Sequence, residues 1–266
     1  MEPFQSHSIR QMTCFHSHQH VTAGLTTRQG GHSEAPFDSL NMGLHVSDKK
    51  EDVLKNRRAL AEEIGIPLSR WVIGEQVHGT EVAAVDQRNA GAGTTSLETA
   101  VANVDGLITN EKNLVLGAFY ADCVPLYFSD SESGWVGIAH AGWKGTVNGM
   151  AGKMIRALQE KGCKLENIQA VIGPSIGRKH YEVDDRVISF IPENYKKECV
   201  MSKGKGKYQL DLKVLHQKMM IEEGLKEEHI QMTGFCTYEE DKTFYSHRRD
   251  QGRTGRMLGF ITLRTL

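Results

Sequence analysis

Leu114-Val-Leu-Gly-Ala-Phe-Tyr-Ala-Asp-Cys-Val-Pro-Leu-Tyr-Phe-Ser-Asp-Ser-Glu-Ser-Gly-Trp-Val-Gly-Ile-Ala-His140 is the stretch whose reading decides the fold class. Its three apolar, aromatic-rich runs, at residues 114–120, 125–128 and 135–140, predict strands. Ser129-Asp-Ser-Glu-Ser-Gly134 is a polar turn that joins the last two as a hairpin. Cys123 falls just after the first strand and His140 ends the third. A hairpin of this length folds the two onto the same end of a sheet.

Further strand-like runs lie at residues 168–172 and 257–263, and Lys203-Gly-Lys-Gly-Lys207 reads as a loop joining two short strands. Three helices are interspersed with them. The first follows Asp48-Lys-Lys-Glu51, a capping-box-like start, and carries Val53, Leu60, Ala61 and Ile64 on one face before Gly65 and Pro67 stop it. The second runs from about Thr146, with Val147, Met150, Ala151, Met154 and Leu158 at helical spacing, to Gly162. The third starts at Asp211 and buries Leu212, Leu215 and Met219 before Gly224. Hairpin-paired strands mixed with helices predict an α+β fold, mixed sheets flanked by helices, rather than a regular βαβ array. No stretch is convincing as a domain boundary, so residues 1–266 read as a single domain. The connection Ala90-Gly-Ala-Gly-Thr-Thr-Ser96 is long enough to act as a lid or rim.

With 32 basic and 33 acidic residues the formal net charge is −1, and no overall field points to nucleic acid or a membrane surface. No apolar run reaches the ~18 residues of a membrane span. The opening Met-Glu-Pro-Phe-Gln-Ser-His lacks the basic and apolar regions of a signal peptide, so a cytoplasmic location is expected. The 5 cysteines form no Cys-x-x-Cys pair, which argues against a disulfide framework or a ribbon-type zinc site.

Cys123, His140 and His78 (in Gly74-Glu-Gln-Val-His-Gly-Thr80) sit beside glycine or proline at what read as strand ends. One thiolate and two imidazoles suit zinc, or copper, better than magnesium or calcium, and three protein ligands leave the open position of a catalytic site. Such a site lowers the pKa of bound water to about 7. Without metal, the same Cys and His form a thiolate–imidazolium pair suited to acyl transfer. Lys144, in the glycine-rich turn Gly142-Trp-Lys-Gly-Thr146 leading into a helix, is a candidate for holding a phosphate or carboxylate. Arg28, in Thr26-Thr-Arg-Gln-Gly-Gly-His-Ser33, is a second anion candidate, and Asn41 and Arg57 are polar residues among apolar neighbours that make candidate substrate contacts. Ser246-His-Arg-Arg-Asp250 and Thr254-Gly-Arg256 read as solvated cationic surface. The run His16-Ser-His-Gln-His20 lacks a thiolate or carboxylate partner and reads as a surface strand.

Six segments, taken in order, resemble the YfiH/YlmD-like laccase-domain family, also called multicopper polyphenol oxidase or peptidoglycan-editing-factor proteins. They are Thr26-Thr-Arg-Gln-Gly-Gly31, Ser39-Leu-Asn-Met-Gly-Leu44, Gly74-Glu-Gln-Val-His-Gly-Thr80, Ala121-Asp-Cys-Val-Pro125, His140-Ala-Gly-Trp-Lys-Gly-Thr146 and Ser246-His-Arg-Arg-Asp250. The resemblance implies a fold similar to toxin-deamidase and YfiH-like cysteine hydrolase domains. It also implies zinc on a His-Cys-His set, which falls on His78, Cys123 and His140 as both ligands and catalytic residues. The implied activity is phosphorolysis of purine nucleosides (adenosine, inosine, methylthioadenosine) to free base and ribose 1-phosphate, with adenosine deamination beside it. Purine nucleoside and phosphate are then the partners, with Arg28, Asn41, Arg57 and Lys144 as candidate contacts and Glu75 as the nearest proton shuttle. The alternatives are a cysteine hydrolase editing a peptidoglycan precursor, a copper-dependent polyphenol oxidase, and a metal-binding interaction protein. A multicopper oxidase needs more clustered histidines than the 12 in this chain supply, so laccase chemistry is expected to be weak.

Overall fold

The computed structural model describes residues 1–14, 20–130 and 132–265. The His16–His20 run, apart from His20, lies outside them. One six-stranded sheet has the spatial order β1 (Gln5–Ser6), β2 (Gln11–Cys14), β3 (Val21–Thr26), β15 (Met257–Leu263), β7 (Val115–Tyr120), β4 (Trp71–Ile73). The second has the order β14 (Ile230–Met232), β10 (Ile168–Ile172), β8 (Val124–Asp130), β9 (Trp135–Ala141), β6 (Gly106–Thr109), β5 (Val82–Ala84). A small third sheet pairs β11 (Glu182–Asp184), β13 (Lys207–Leu210) and β12 (Val200–Gly204), the last two joined through residues 204–207 as their sequence predicts. Both large sheets are mixed: β4 with β7, β5 with β6 and β10 with β14 are parallel pairs, and the other pairs are antiparallel.

The helices are α1 (Lys50–Ile64), α2 (Trp143–Val147), α3 (Met150–Glu160), α4 (Asp185–Ile188), α5 (Glu193–Cys199) and α6 (Leu212–Glu222). Side-chain alternation on the strands sorts the core into layers. On β7, Val115 and Phe119 pack with Leu60, Ala61 and Ile64 of α1, while Leu116, Ala118 and Tyr120 face the other sheet. On β8, Tyr127 points between the sheets, and Leu126 and Phe128 pack under α3 and α6 with Met154, Leu158 and Leu215. Two buried tyrosines tie the sheets together, Tyr127 Oη donating to Gly24 O at 2.9 Å and Tyr120 Oη to Ala139 O at 3.0 Å. The result is an α+β arrangement of helix, sheet, sheet and helix. Every strand position of β7 and β8 is buried, which is why both read as nearly continuous apolar runs.

Several local expectations change. The first helix has no capping box: Lys49 occupies the N-cap without a side-chain bond, and Asp48, one residue earlier, accepts from the Lys49 N–H (2.8 Å) and from Asn41 Nδ2 (2.9 Å). The second helix is two, broken where Asn148 ends α2 and Gly149 adopts φ 80°, a left-handed conformation that glycine adopts without strain. On α6 it is Met220 rather than Met219 that is fully buried, with Leu212 and Leu215 as expected. The connection at residues 90–96 is not a free lid. Thr94 is buried, and the Arg57 guanidinium donates to the carbonyls of Gly93 (2.9 Å) and Thr94 (2.7 Å). No helix among the described residues is long and apolar enough to cross a membrane.

Candidate metal centre

Two chain crossings between the large sheets meet one strand end. The loop after β4 carries His78 on its way to β5, and the turn from β7 to β8 carries Cys123. His140 lies near the end of β9, directly opposite Pro125 of β8. It is on the same strand face as Val136 and Ile138, so its ring points between the sheets. The hairpin therefore does bring Cys123 and His140 to one sheet end, and the β4–β5 loop adds His78. The ligand atoms of His78, Cys123 and His140 all lie within 4.8 Å of one another, and the two imidazoles meet edge-on with centroids 4.9 Å apart.

The backbone is strained where the ligands are presented. His78 has φ 58° and Asp122, next to Cys123, has φ 83°. Neighbouring groups hold both. Asp105, just before β6, accepts from the N–H groups of Val77 (3.0 Å), His78 (3.2 Å) and Gly79 (2.7 Å), and its Oδ1 also binds His140 Nδ1 at 2.8 Å. One buried carboxylate thus orients two of the three ligands. Asp122 is clamped by Thr237 Oγ1 (2.6 Å) and the Arg248 N–H (2.7 Å), and its carbonyl accepts from Ile176 N–H at 3.0 Å. Gly142 completes the turn, since a Cβ there would lie 3.1 Å from Cys123 Sγ and 3.2 Å from the His78 ring.

The electrostatics follow from this packing. Burial would push the Cys123 thiol up, but the facing His140 and His78 rings outweigh it and bring it down to about 6. Burial likewise opposes protonation of His140, yet the Cys123 sulfur and the Asp105 carboxylate lift it to about 9. Asp105 is held below the usual carboxylate range, burial being overcome by His140 and the backbone N–H groups. A pair that is thiolate and imidazolium without metal becomes thiolate and neutral imidazole when a cation displaces the proton.

The donor set fits a borderline-soft ion. Bonds of about 2.0–2.3 Å from one ion to two imidazoles and a thiolate separate the donors by roughly 3–4 Å, which needs only modest closure here. With His140 Nδ1 bonded to Asp105, Nε2 is the ring nitrogen that could meet an ion, and the carboxylate would fix the ring's tautomer and orientation for it. The described residues contain no second group of three such ligands.

The centre opens into a cavity of about 670 Å³. Phe119, Leu97, Trp143 and Tyr181 supply apolar and aromatic walls, and His45, Glu75, His247, Arg248 and Arg256 supply polar ones. Of the four candidate substrate contacts, none lines it. Lys144 is exposed with its ammonium 5.9 Å from the Trp143 ring centroid. Arg28 lines a separate crevice and is held by the Asp38 carbonyl at 3.2 Å. Asn41 and Arg57 are fully buried one layer behind the wall: Asn41 Oδ1 accepts from the Arg256 N–H (2.9 Å), and Arg57 Nε donates to Met42 O (2.9 Å). Sequence reasoning missed Asp105, which reads as an ordinary turn aspartate. It also placed Arg248 and Arg256 on the solvated surface, because nothing local shows that their loop returns to the centre.

Such a centre in such a sandwich defines a family, and residues 22–264 match the one described as multi-copper polyphenol oxidoreductase laccase, to which this chain belongs. Among its relatives is the Bacillus subtilis protein named purine nucleoside phosphorylase YlmD, 46% identical over 93% of this chain and 90% of that one. The crystal structure of YlmD from Geobacillus stearothermophilus superimposes with a TM-score of 0.96 at 42% identity, covering 100% of both chains. That of the Bacillus licheniformis hypothetical protein YfiH gives 0.96 at 39% identity, covering 99% of this chain and 100% of the other.

Proposed function

We propose that the protein is a zinc-dependent purine nucleoside phosphorylase, with His78, Cys123 and His140 as ligands and reaction centre. The observation that carries the reading is the placement of the His78–Cys123–His140 cluster inside a cavity of about 670 Å³, within the range that encloses small organic ligands. Relatives named purine nucleoside phosphorylase point the same way. A zinc ion held there supplies a Lewis acid that polarises a substrate oxygen. The chain's own groups do the rest. Asp105 fixes the His140 ring and the His78 turn, so the centre is preorganised. The half-buried Trp143 and Tyr181 rings in the wall offer surfaces on which a purine packs.

Adenosine deamination as a second activity is supported by one further feature, the Glu75 carboxylate lining the same cavity, where it can relay protons. A laccase reading is weaker, because one His₂Cys group is available among the described residues and no methionine lines the cavity as an axial ligand.

The test is incubation of metal-analysed protein with inosine or adenosine, with and without phosphate. Phosphate-dependent release of hypoxanthine or adenine with ribose 1-phosphate is expected, and loss of it in Cys123→Ala. Inosine formed from adenosine would report the deaminase activity. Absence of any base or inosine, or unchanged turnover in Cys123→Ala, would refute the reading.

A further inference from the structure

We propose that Arg248 and Arg256 form an anion subsite that binds inorganic phosphate in the cavity beside the His78–Cys123–His140 cluster, which as a co-substrate role rests on the phosphorylase reading above. Both residues line that cavity, and neither has a carboxylate partner among the described residues. Each is held by backbone carbonyls through Nη1 alone. Arg256 Nη1 donates to Thr254 O (2.9 Å) and Gly255 O (3.0 Å), and Arg248 Nη1 donates to Glu182 O (2.9 Å) with its guanidinium 5.2 Å from the Tyr181 ring centroid. Among the described residues the Nε and Nη2 donors of both have no acceptor, and that edge is the two-pronged fork that matches two phosphate oxygens.

Other arginines near the site are spent differently. Arg249 gives its fork to Asp250 and its remaining donors to the carbonyls of Thr237, Tyr238 and Phe244. Arg57 is buried and bonded to three backbone carbonyls. Only Arg248 and Arg256, among these, carry uncompensated charge into the cavity. Burial weakens the protonation of Arg256, and the Cys123 and Asp122 charges support it. His45, exposed on the wall of the same cavity, is pushed toward the neutral form by the protein packed around its ring and by the charges of Arg256 and Arg57.

The subsite is tied to the reaction centre through the backbone. Asp122 Oδ2 accepts from the Arg248 N–H, so the turn that presents Cys123 also fixes the Arg248 loop. Asn41 Oδ1 accepts from the Arg256 N–H, which gives that buried asparagine a positioning role. Hydrogenphosphate held there supplies the oxygen whose lone pair forms the new bond to C1′ of the nucleoside. The C1′–N9 bond breaks with its electron pair going to the purine, and the hydrogen carried by the phosphate ends on the released base. The reaction balances as nucleoside plus hydrogenphosphate giving base plus ribose 1-phosphate, with no further reactant.

Two measurements decide the subsite separately from the activity. In the first, zinc-loaded protein is treated with phenylglyoxal with and without inorganic phosphate, and labelled arginines are located by mass spectrometry. Phosphate is expected to protect Arg248 and Arg256 and to leave Arg58, on the far face of α1, unprotected; equal labelling with and without phosphate overturns the proposal. In the second, phosphate and nucleoside are varied in turn for the wild type, Arg248→Gln and Arg256→Gln, with melting temperature and metal content as folding controls. The expected result is a phosphate KM raised roughly ten-fold or more with nucleoside KM changed less than about two-fold. Arg248 is exposed, so its variant folds even if Arg256→Gln does not. Unchanged phosphate KM in a folded Arg248→Gln overturns the subsite. A wild type that binds phosphate protectively but shows no phosphate-dependent turnover supports the subsite and overturns the phosphorylase reading alone.

Discussion

Replacing Asp105 by Asn removes the charge that faces the His140 Nδ1–H and the N–H groups of Val77, His78 and Gly79, and turns an NH₂ group toward some of them. The expected outcome is a loss of metal affinity of about 10–100-fold, measured by competition with a chromophoric chelator. In metal-free protein the thiolate absorbance of Cys123 should grow as pH rises through about 6, where His140 remains protonated. Asp105→Asn weakens that imidazolium, so the midpoint should move to higher pH; a midpoint that stays put, with wild-type metal affinity, would show that the carboxylate does no positioning. Cys123 is legible in the sequence because a cysteine in the tight polar turn before Pro125 is a poor core filler, and His140 because the hairpin folds it to the same sheet end, whereas His78 joins them through the family resemblance. Asp105 is not legible, because its partner His140 is 35 residues away and Asn103-Val-Asp-Gly106 looks like any polar turn.

At the scale of elements, α2 is only five residues long, too short to be stable by its own hydrogen bonds. It is held from α6, where buried His216 Nε2 lies 2.9 Å from Thr146 Oγ1, which in turn donates to Gly142 O beside Cys123. Burial lowers His216 to about 3 from the 6.5 of an unfolded chain. Between those values the unfolded state binds the extra proton, so this contribution to stability is complete above pH 6.5 and is lost as pH falls toward 3. Two pH units below 6.5 correspond to roughly 3 kcal/mol. Comparing urea denaturation at pH 7 and pH 4.5 should show the His216→Gln protein losing less stability than the wild type by about that amount. Equal losses would mean that His216 is protonated in the folded state. The periodicity of residues 146–158 reveals the helical face but not the break at Gly149, because the apolar spacing continues in phase across it. Similarly, the two strands flanking Cys123 are plain in the sequence, while their membership of different sheets depends on long-range pairing of β7 with β15 and of β8 with β10.

On the scale of the whole molecule, the three ligands come from two sheet-to-sheet crossings and a strand end, and they meet only when both sheets are packed together. The mixture of sheet strands and flanking helices is readable from apolar runs and helix faces, whereas the convergence of residues 45, 78, 123, 140, 248 and 256 on one cavity is a property of the assembled sandwich alone. On the reading proposed above, a metal ion would meet the full donor set in the native chain and scattered single donors in the unfolded one. By mass action, free zinc at a thousand times its dissociation constant stabilises the folded state by about 4 kcal/mol. For a chain of this size that corresponds to a rise in melting temperature of roughly 10 °C. Removal of metal by a chelator should lower the transition by that order, readdition of zinc should restore it, and Cys123→Ala should respond to neither. Because Tyr120 and Tyr127 still bridge the sheets without the ion, the metal-free protein should keep a single cooperative transition rather than lose its fold. A wild-type melting curve indifferent to chelator and zinc alike would mean that the donors, although adjacent, do not act as one ligand set.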